Sequence, residues 1–204
     1  MDWSSVDSAW KGHEYFVQWL VKELDPKITV EIGTYKGFST YFLAKENNGI
    51  VYSLDIKDYG AADNLKELDN VKLIIDRSED LVKTWQTKID LLHIDGDHTK
   101  DSVTHDLSEW AKHMNDGGVI LMHDVFSNAW LDTFMVFMNS KILDINGQGI
   151  TKRMFLNSNG LGILTYNTEL ISKIDEKYKT LVLSDHSIAN IVNFVNYHRS
   201  HKNG

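Results

Sequence analysis

Two short segments concentrate aspartate and histidine, the side chains that most often bind metal ions and move protons. They are Asp95-Gly96-Asp97-His98 and His123-Asp124. Each follows an apolar run typical of a buried strand, so adjacent strand ends would bring Asp95 beside the His123-Asp124 pair. Carboxylate oxygens that converge in this way indicate a Mg²⁺ or Mn²⁺ site. The alternative is that these acids cap the helices that follow.

His98 is the candidate general base of this region, because an unperturbed imidazole titrates near neutral pH. It follows Asp95 by three residues, so a bound metal ion would lie near it and favour its neutral form. A histidine in a loop is often simply solvated, and that interpretation stays open.

A glycine turn and an acidic residue indicate a nucleotide-like ligand. In the run from 30 to 39, VEIGTYKGFS, Gly33 and Gly37 permit a tight turn with close backbone approach to a ligand, and Ser39 opens a helix. Asp55 ends the next apolar segment, where an acid accepts hydrogen bonds from the two hydroxyls of a ribose. The turn lacks the third glycine that admits a pyrophosphate, which favours S-adenosylmethionine over a nicotinamide dinucleotide. A plain strand-to-helix turn is the alternative.

These residues need a sheet to hold them, and the alternation of apolar and helical segments predicts one. Predicted strands lie at 28–33, 50–55, 71–76, 89–95 and 119–124, and predicted helices near 38–46, 61–68, 79–86 and 100–114. Short β-branched strands separated by helices are typical of a buried parallel sheet with helices on both faces. An amphipathic helix over 5–24 is expected to pack on the sheet edge and to end before Pro26.

Two further strand-like segments, 150–156 and 161–167, are too close together for a parallel crossover and predict an antiparallel hairpin at one sheet edge. We therefore expect a single Rossmann-like, doubly wound α/β domain over residues 1–204. The sheet is mostly parallel, residues 1–27 form an N-terminal helical segment, and residues 168–204 form a C-terminal helical extension.

The charge and composition of the chain limit the classes of binding partner that we expect. The formal net charge of −8 argues against nucleic acid, whose phosphates require clustered Lys and Arg. No apolar run approaches the ~20 residues that span a bilayer, so no membrane partner is expected. The N-terminus does not have the pattern of a signal peptide, and there are no cysteines, so we expect a cytoplasmic protein without disulfides. A homo-oligomer is compatible with these features.

The combined motifs resemble the class I methyltransferases. The resemblance spans roughly residues 8–167 and is carried by SAWKGH (8–13), the 30–39 turn, Asp55, IDGDH (94–98), GGVILMHD (117–124) and GLGIL (160–164). It is strongest to the small metal-dependent O-methyltransferases, such as the catechol and caffeoyl-coenzyme A enzymes. Within them it is closest to the bacterial branch of cephalosporin-hydroxylase-like and sugar O-methyltransferases.

The resemblance implies a role for each matching residue. Glu31, Gly33, Tyr35 and Ser39 would hold the methionine part of S-adenosylmethionine, Asp55 its ribose and Ser78 its adenine, with Gly37 in the same turn. Asp95, His123 and Asp124 fall on the three metal-ligand positions, Asp95 also bordering the cofactor, and His98 falls on the position of the catalytic base.

One departure concerns position 123, where the family usually has Asp or Glu. A histidine ligand would shift the metal preference from Mg²⁺ towards Mn²⁺, or else His123 supports the site without binding the metal. The expected reaction is metal-assisted methylation of a hydroxyl on a small molecule, preferably a sugar or glycan. A non-catalytic S-adenosylmethionine-binding module and an NAD(P)-dependent reductase are the alternatives.

Overall fold

The computed structural model describes residues 2–127, 129, 131–140, 149–184 and 186–188. Within these ranges eight strands form one sheet in the order β3-β2-β1-β4-β5-β7-β6-β8. The strands are β1 (Ile28–Ile32), β2 (Ile50–Asp55), β3 (Val71–Ile75), β4 (Ile89–Ile94), β5 (Met114–His123), β6 (Thr151–Phe155), β7 (Leu161–Thr165) and β8 (Val182–Ser184). The helices are α1 (Glu14–Leu24), α2 (Phe38–Ala44), α3 (Ala61–Leu65), α4 (Ser78–Leu81), α5 (Lys100–Trp110), α6 (Leu131–Asn139) and α7 (Thr168–Lys177).

The first five strands are parallel, as predicted. β1 pairs with β2 and β4, β2 also pairs with β3, and β4 also pairs with β5. The predicted hairpin is confirmed, since β6 and β7 pair antiparallel and β7 continues antiparallel onto β5. The carboxyl ends of the five parallel strands therefore meet at one edge of the sheet, where ligands bind in open α/β folds.

Helices cover both faces of the sheet because successive strand residues point to opposite sides. On one face Leu91 and Leu121 pack under α1, α2 and α7. On the other face Leu92 and Ile120 pack under α5 and α6. Among the described helices, none combines the length and the apolar character that crossing a membrane requires.

The prediction for the N-terminus is wrong in two respects. The helix begins at Glu14 rather than near residue 5, because Gly12 has a left-handed φ of 108° and interrupts the chain there. The buried residues Phe16 and Leu20 of α1 pack on the face of the sheet, not on its edge. Before Gly12 the described chain has only a short 3₁₀ turn, at Trp3–Ser5.

Several other boundaries differ from the predictions. The predicted helix at 79–86 is the short α4 followed by a 3₁₀ turn, and β5 begins at Met114, within the predicted helix 100–114. The extension from 168 is not wholly helical, since β8 pairs with β6 and becomes the sheet edge in place of the hairpin. Residues 185 and 189–204 of that extension lie outside the described residues.

At the joint between β1 and β4 the backbones approach closely. Gly33 follows β1 with a φ of 96°, and a Cβ atom there would lie 2.0 Å from the carbonyl oxygen of Asp95. The Gly33 N–H donates to Leu54 O, and the Asp95 N–H donates to Ile32 O, so neither strand end is free to move away. Glycine is therefore required at position 33 for both conformation and space.

Substituting Gly33 and Gly60 with alanine should separate these two requirements. Gly60 has a similar φ of 100° but no atom within 4 Å of the position a Cβ would occupy. Gly60→Ala should therefore show only the conformational cost, roughly 1 kcal/mol in the free energy of unfolding. Gly33→Ala should cost about 1–3 kcal/mol more, the usual range for overpacking, as measured by urea unfolding. Equal losses in the two variants would contradict the close-contact explanation.

Candidate cofactor and metal site

A cavity of about 1300 Å³ opens at the carboxyl ends of the parallel strands, lined by residues that follow β1 to β5 and by the N-terminal segment 7–10. The fold thus brings together most of the side chains singled out in the sequence. The predicted site residues that line the cavity are Gly33, Tyr35, Ser39, Asp55, Ser78, Asp95, His98, His123 and Asp124. Glu31 and Gly37 are not among the lining residues.

The turn after β1 is fastened to the end of β2. Tyr35 has a left-handed φ of 47°, which directs its backbone N–H to Asp55 Oδ2 at 2.8 Å. Gly37, with a φ of 83°, starts α2, and a Cβ atom there would lie 2.7 Å from Leu65 Cδ1. Gly37 therefore lies on the side of the turn that packs against Leu65 and does not face the cavity. The buried Ser39 lines the cavity from the first turn of α2.

Glu31 does not reach the cavity, so the expectation that it contacts the cofactor is not supported by its position. Its carboxyl group is fully buried and accepts hydrogen bonds from Thr40 Oγ1 at 2.5 Å and Ser53 Oγ at 2.6 Å. Its other oxygen lies 3.1 Å from His93 Nδ1, and Trp10 Nε1 donates to His93 Nε2 at 3.2 Å. Glu31 thus anchors a buried network beneath the site.

The N-terminal segment is also held by the β6–β7 turn. Ser158 Oγ donates to Lys11 O, and Asn157 Nδ2 donates to Gly12 O at 3.1 Å. Both Ser158 and the following Asn159 have left-handed φ values, of 51° and 65°. The side of the cavity formed by residues 7–10 is therefore fixed by contacts of Lys11 and Gly12 with the β6–β7 turn.

Asp95, His98 and Asp124 form a compact group in which one ligand atom of each lies within 4.8 Å of the others. His98 Nε2 lies 3.1 Å from Asp124 Oδ2. Asp124 Oδ1 is buried and has no hydrogen-bond partner within the described part of the chain. Asp124 also has a left-handed φ of 57°, an uncommon conformation for a non-glycine residue. Burial raises the pKa of Asp124, and the neighbouring Asp95 raises it further, although His123 opposes both effects.

His123 lies beside this group, and one of its ring nitrogens faces the carboxylates of Asp95 and Asp124 while the other faces Ser158. Nδ1 is 3.1 Å from Asp95 Oδ1, and Nε2 is 2.9 Å from the carbonyl oxygen of Ser158. Both partners are acceptors, so only the doubly protonated ring satisfies both. Burial lowers the pKa of His123, but the charge and hydrogen bond of Asp95, the charge of Asp124 and the hydrogen bond to Ser158 together outweigh this effect, so the net pKa is raised. In this conformation His123 supports Asp95 and presents neither nitrogen to a metal ion.

A second buried histidine, His13, lies against His123. His13 stands edge-on to His123, with ring centroids 5.5 Å apart. Burial first, and then the neighbouring His123, lower the pKa of His13 to about 4. His13 is therefore neutral at physiological pH, which leaves one positive charge between these two rings rather than two.

Sequence reasoning missed Asp106, which also lines the cavity. It lies on α5 and is 4% exposed, and its Oδ1 accepts a hydrogen bond from Ser78 Oγ at 2.5 Å. A signal was present, because Asp106 shares helical spacing with the buried Val103, Leu107 and Trp110. An acidic residue on the apolar face of a helix is rarely there without a partner.

The sequence is similar to a protein-family model and to two proteins of other organisms. Residues 30–125 match the family model described as a methyltransferase domain, a range that includes the glycine turn, Asp55 and the Asp95–His98–Asp124 group. An uncharacterised protein of Sinorhizobium fredii is 28% identical over 137 residues, which is 57% of this chain and 15% of that protein. One from Acanthamoeba polyphaga mimivirus is 32% identical over 139 residues, which is 60% of this chain and 62% of that protein. The chain thus spans less than two thirds of either relative.

Solved structures share the fold at low sequence identity. The methyltransferase of Podospora anserina bound to S-adenosylhomocysteine has a TM-score of 0.61 at 16% identity, covering 79% of this chain and 80% of that one. The O-methyltransferase from Bacillus cereus in complex with S-adenosylhomocysteine has a TM-score of 0.59 at 18% identity, covering 76% of this chain and 81% of that one. The resemblance inferred from the motifs is thus confirmed at the level of the fold: residues 30–125 match a methyltransferase domain model, and the chain shares its fold with these solved methyltransferases.

Proposed function

We propose that this chain is an S-adenosylmethionine-dependent O-methyltransferase that works with a divalent cation on a hydroxyl of a sugar, a glycan or another small molecule. The observation that carries the proposal is the Asp95–His98–Asp124 group, whose ligand atoms lie within 4.8 Å of one another at the edge of the cavity. The same cavity is lined by the glycine turn and by Asp55, which supply the features expected for an adenosine ligand.

The cofactor half of the proposal depends on a carboxylate that the turn holds in place. Asp55 Oδ2 accepts the backbone N–H of Tyr35, which fixes the carboxylate at the end of β2. We assign Asp55 to the two ribose hydroxyls, and Ser39 to the methionine carboxylate. S-adenosylmethionine, when bound, supplies an electrophilic methyl group on sulfur.

The donor set fits a divalent cation. Asp95 and Asp124 follow adjacent strands, and the buried Asp124 Oδ1, which makes no hydrogen bond within the described residues and has His123 Nδ1 at 3.6 Å, is the kind of atom that a cation would satisfy. Because the ring nitrogens of His123 face Asp95 and Ser158, we assign Asp95 and Asp124, and not His123, as ligands of the cation. Two carboxylates with an imidazole nearby suit Mn²⁺ as well as Mg²⁺.

His98 is assigned as the base that takes the proton of the acceptor hydroxyl. Asp124 Oδ2, 3.1 Å from His98 Nε2, orients the imidazole and stabilises the imidazolium that forms. A bound cation would lower the pKa of a coordinated hydroxyl and so ease this proton transfer. His98 is also near enough to Asp95 and Asp124 to act as a third ligand, and the two roles can be separated experimentally.

A vicinal diol suits this arrangement, because two neighbouring oxygens can bind the same cation. The preference for a sugar or glycan over a phenol is based on the family resemblance and not on a contact in the cavity. In the non-catalytic alternative the domain would bind S-adenosylmethionine without transferring its methyl group. In the reductase alternative NAD would bind more tightly than S-adenosylhomocysteine.

Replacing Asp124 with asparagine tests whether this residue binds a cation that the reaction needs. Asp124→Asn should abolish metal-stimulated release of S-adenosylhomocysteine from S-adenosylmethionine, assayed with hexoses, nucleotide sugars and catechol. It should also weaken Mn²⁺ binding in calorimetry while leaving S-adenosylhomocysteine affinity within about threefold, since Asp55 and the turn are untouched. Asp116→Asn, an exposed aspartate on β5, is the matched control and should change neither quantity. Activity that a chelator leaves unchanged would contradict the proposal that the reaction needs a cation.

Replacing His98 with alanine tests the base. His98→Ala should lower turnover by roughly 10²–10⁴-fold, the usual contribution of a positioned base, with little change in Mn²⁺ affinity. If Mn²⁺ affinity falls together with turnover, His98 is a ligand and the assignment as base is wrong. Wild-type protein that binds S-adenosylhomocysteine but methylates no hydroxyl compound would favour the non-catalytic alternative.

A further inference from the structure

β3 is one edge of the sheet, and within the described residues no strand lies on its outer side. The N–H of Asp76, just after β3, donates to Asp55 O on β2. Because the direction of the backbone groups alternates along a strand, Val71, Leu73 and Ile75 turn their N–H and C=O groups outwards. A row of outward backbone groups of this kind is a template for pairing with another strand.

Edge strands usually carry a feature that prevents such pairing, such as a proline, a bulge or a charged side chain at the edge. β3 contains no proline, and its five residues pair with β2 in unbroken register. Its one lysine, Lys72, is turned away from the edge, since Nζ lies 5.1 Å from the centroid of the Tyr52 ring on β2. Ile75 is 56% exposed. The edge is therefore regular, apolar and open to a second strand.

The sequence of β3 is complementary to a second copy of itself. In an antiparallel pair with a two-fold axis at Leu73, Leu73 faces its own copy and Val71 faces Ile75 of the second copy. Aliphatic side chains directly opposite one another stabilise such a pair, and Val71 would cover the exposed Ile75. Moving the axis by one residue would place Lys72 opposite its own copy, or Val71 opposite Arg77. The axis at Leu73 is therefore favoured.

The residues on either side of β3 extend this match. In the same register Asp69 lies opposite Arg77 of the second copy, and Asn70 lies opposite Asp76. Asp69 and Arg77 are both exposed, and Arg77 already pairs with Glu79 in its own chain, so Asp69 adds a second acid to the guanidinium group. Opposite charges that face each other across strands are favourable, and a two-fold axis makes each contact twice. This symmetry identifies a second copy of the chain as the partner.

We propose that this chain forms a two-fold symmetric dimer in which β3 pairs antiparallel with β3 of a second copy and the two sheets become continuous. The N–H of each Leu73 donates to the C=O of the other, and the N–H of Ile75 donates to Val71 O. The Val71 N–H stays with Leu68 O, to which it donates at 3.3 Å. A contact through one short strand per copy is small, so we expect a dissociation constant of roughly 1–100 µM.

Cysteine cross-linking tests the position of the axis, and the chain suits it because it has no cysteine of its own. In Leu73→Cys the two thiols face each other, with Cα atoms about 5.5 Å apart, a separation that a disulfide spans. Mild oxidation should therefore convert most of this variant to a covalent dimer on a non-reducing gel. The matched control is Ile75→Cys, at a more exposed position but roughly 14 Å from its copy, which should cross-link far less. Equal or greater cross-linking of the control would indicate random collision and overturn the proposal.

Sedimentation velocity tests the dimer without cross-linking. The wild type should change from monomer to dimer between about 1 and about 300 µM, and Ile75→Lys should weaken the dimer by about tenfold or more because a charge replaces an apolar contact. The matched control is Leu181→Lys, which changes an exposed leucine beside β8, at the opposite edge of the sheet, and should dimerise like the wild type. A wild type that stays monomeric or forms larger species overturns the proposal, as does a dimer that only Leu181→Lys dissociates.

The outcomes are independent of the proposed function, because no residue of the metal-binding group takes part in the pairing. A monomeric wild type would leave the methyltransferase proposal intact. If Leu73→Cys does not fold, as shown by urea unfolding, the double variant Val71→Cys/Ile75→Cys replaces it. Those two positions face each other in the same register, so the double variant should cross-link and neither single variant should.

Discussion

The site depends on how closely β1 and β4 approach at their carboxyl ends. There the backbone of Gly33 passes against the carbonyl of Asp95, and a side chain of any size would force the two strands apart. Because β1 also pairs with β2, and β4 with β5, the spacing at this joint sets the distance of Asp55 from Asp95 and Asp124. A change in this spacing would shift Asp55 relative to the other two carboxylates.

A second constraint is the buried polar network under the turn. Burying the carboxyl group of Glu31 and the ring of His93 is costly unless each polar atom has a partner, and here Thr40, Ser53 and Trp10 provide them. Apolar side chains of the same volume would avoid that cost. The network is therefore better explained as a device that selects one arrangement of these strands than as a source of stability. It links β1, β2 and β4 to Trp10, and thereby holds the N-terminal segment against the cavity.

The features of the fold that depend on sequence periodicity could be predicted. The element boundaries that depend on one backbone conformation or on a very short segment could not. Five parallel strands and the 150–167 hairpin follow from alternation and from loop length, and the structure has them. The start of α1 was missed because Gly12 ends the helical pattern only when its left-handed φ is known. β8 was missed because three residues, Val182–Ser184, give too little pattern to distinguish a strand from a helix.

For the site, strand-end position placed Asp55, Asp95 and Asp124 at one edge correctly, since this follows from parallel topology alone. The orientation of His123 could not be predicted, because it depends on the carbonyl of Ser158, which arrives from a turn 35 residues further along the chain. That Glu31 does not line the cavity could not be predicted for a related reason. Which face of β1 it occupies follows from alternation, but its partners on α2, β2 and β4 become apparent only when the sheet order is known.

The chemistry of the cavity wall favours a ligand that donates hydrogen bonds and carries positive charge. Carboxyl groups outnumber basic side chains there: Asp7, Asp55, Asp76, Glu79, Asp95, Asp97, Asp101, Asp106 and Asp124 line it with Lys36, Arg77, Lys83, His98, His105 and His123. Arg77 is paired with Glu79, Lys83 with Asp80 and His123 with Asp95, which leaves little positive charge for a phosphate. A pyrophosphate would therefore meet mostly negative charge, whereas a sulfonium ion, an ammonium group, ribose hydroxyls and a divalent cation would each find acceptors. The same acid-rich wall that disfavours a dinucleotide thus suits S-adenosylmethionine and a metal-bound hydroxyl in one cavity.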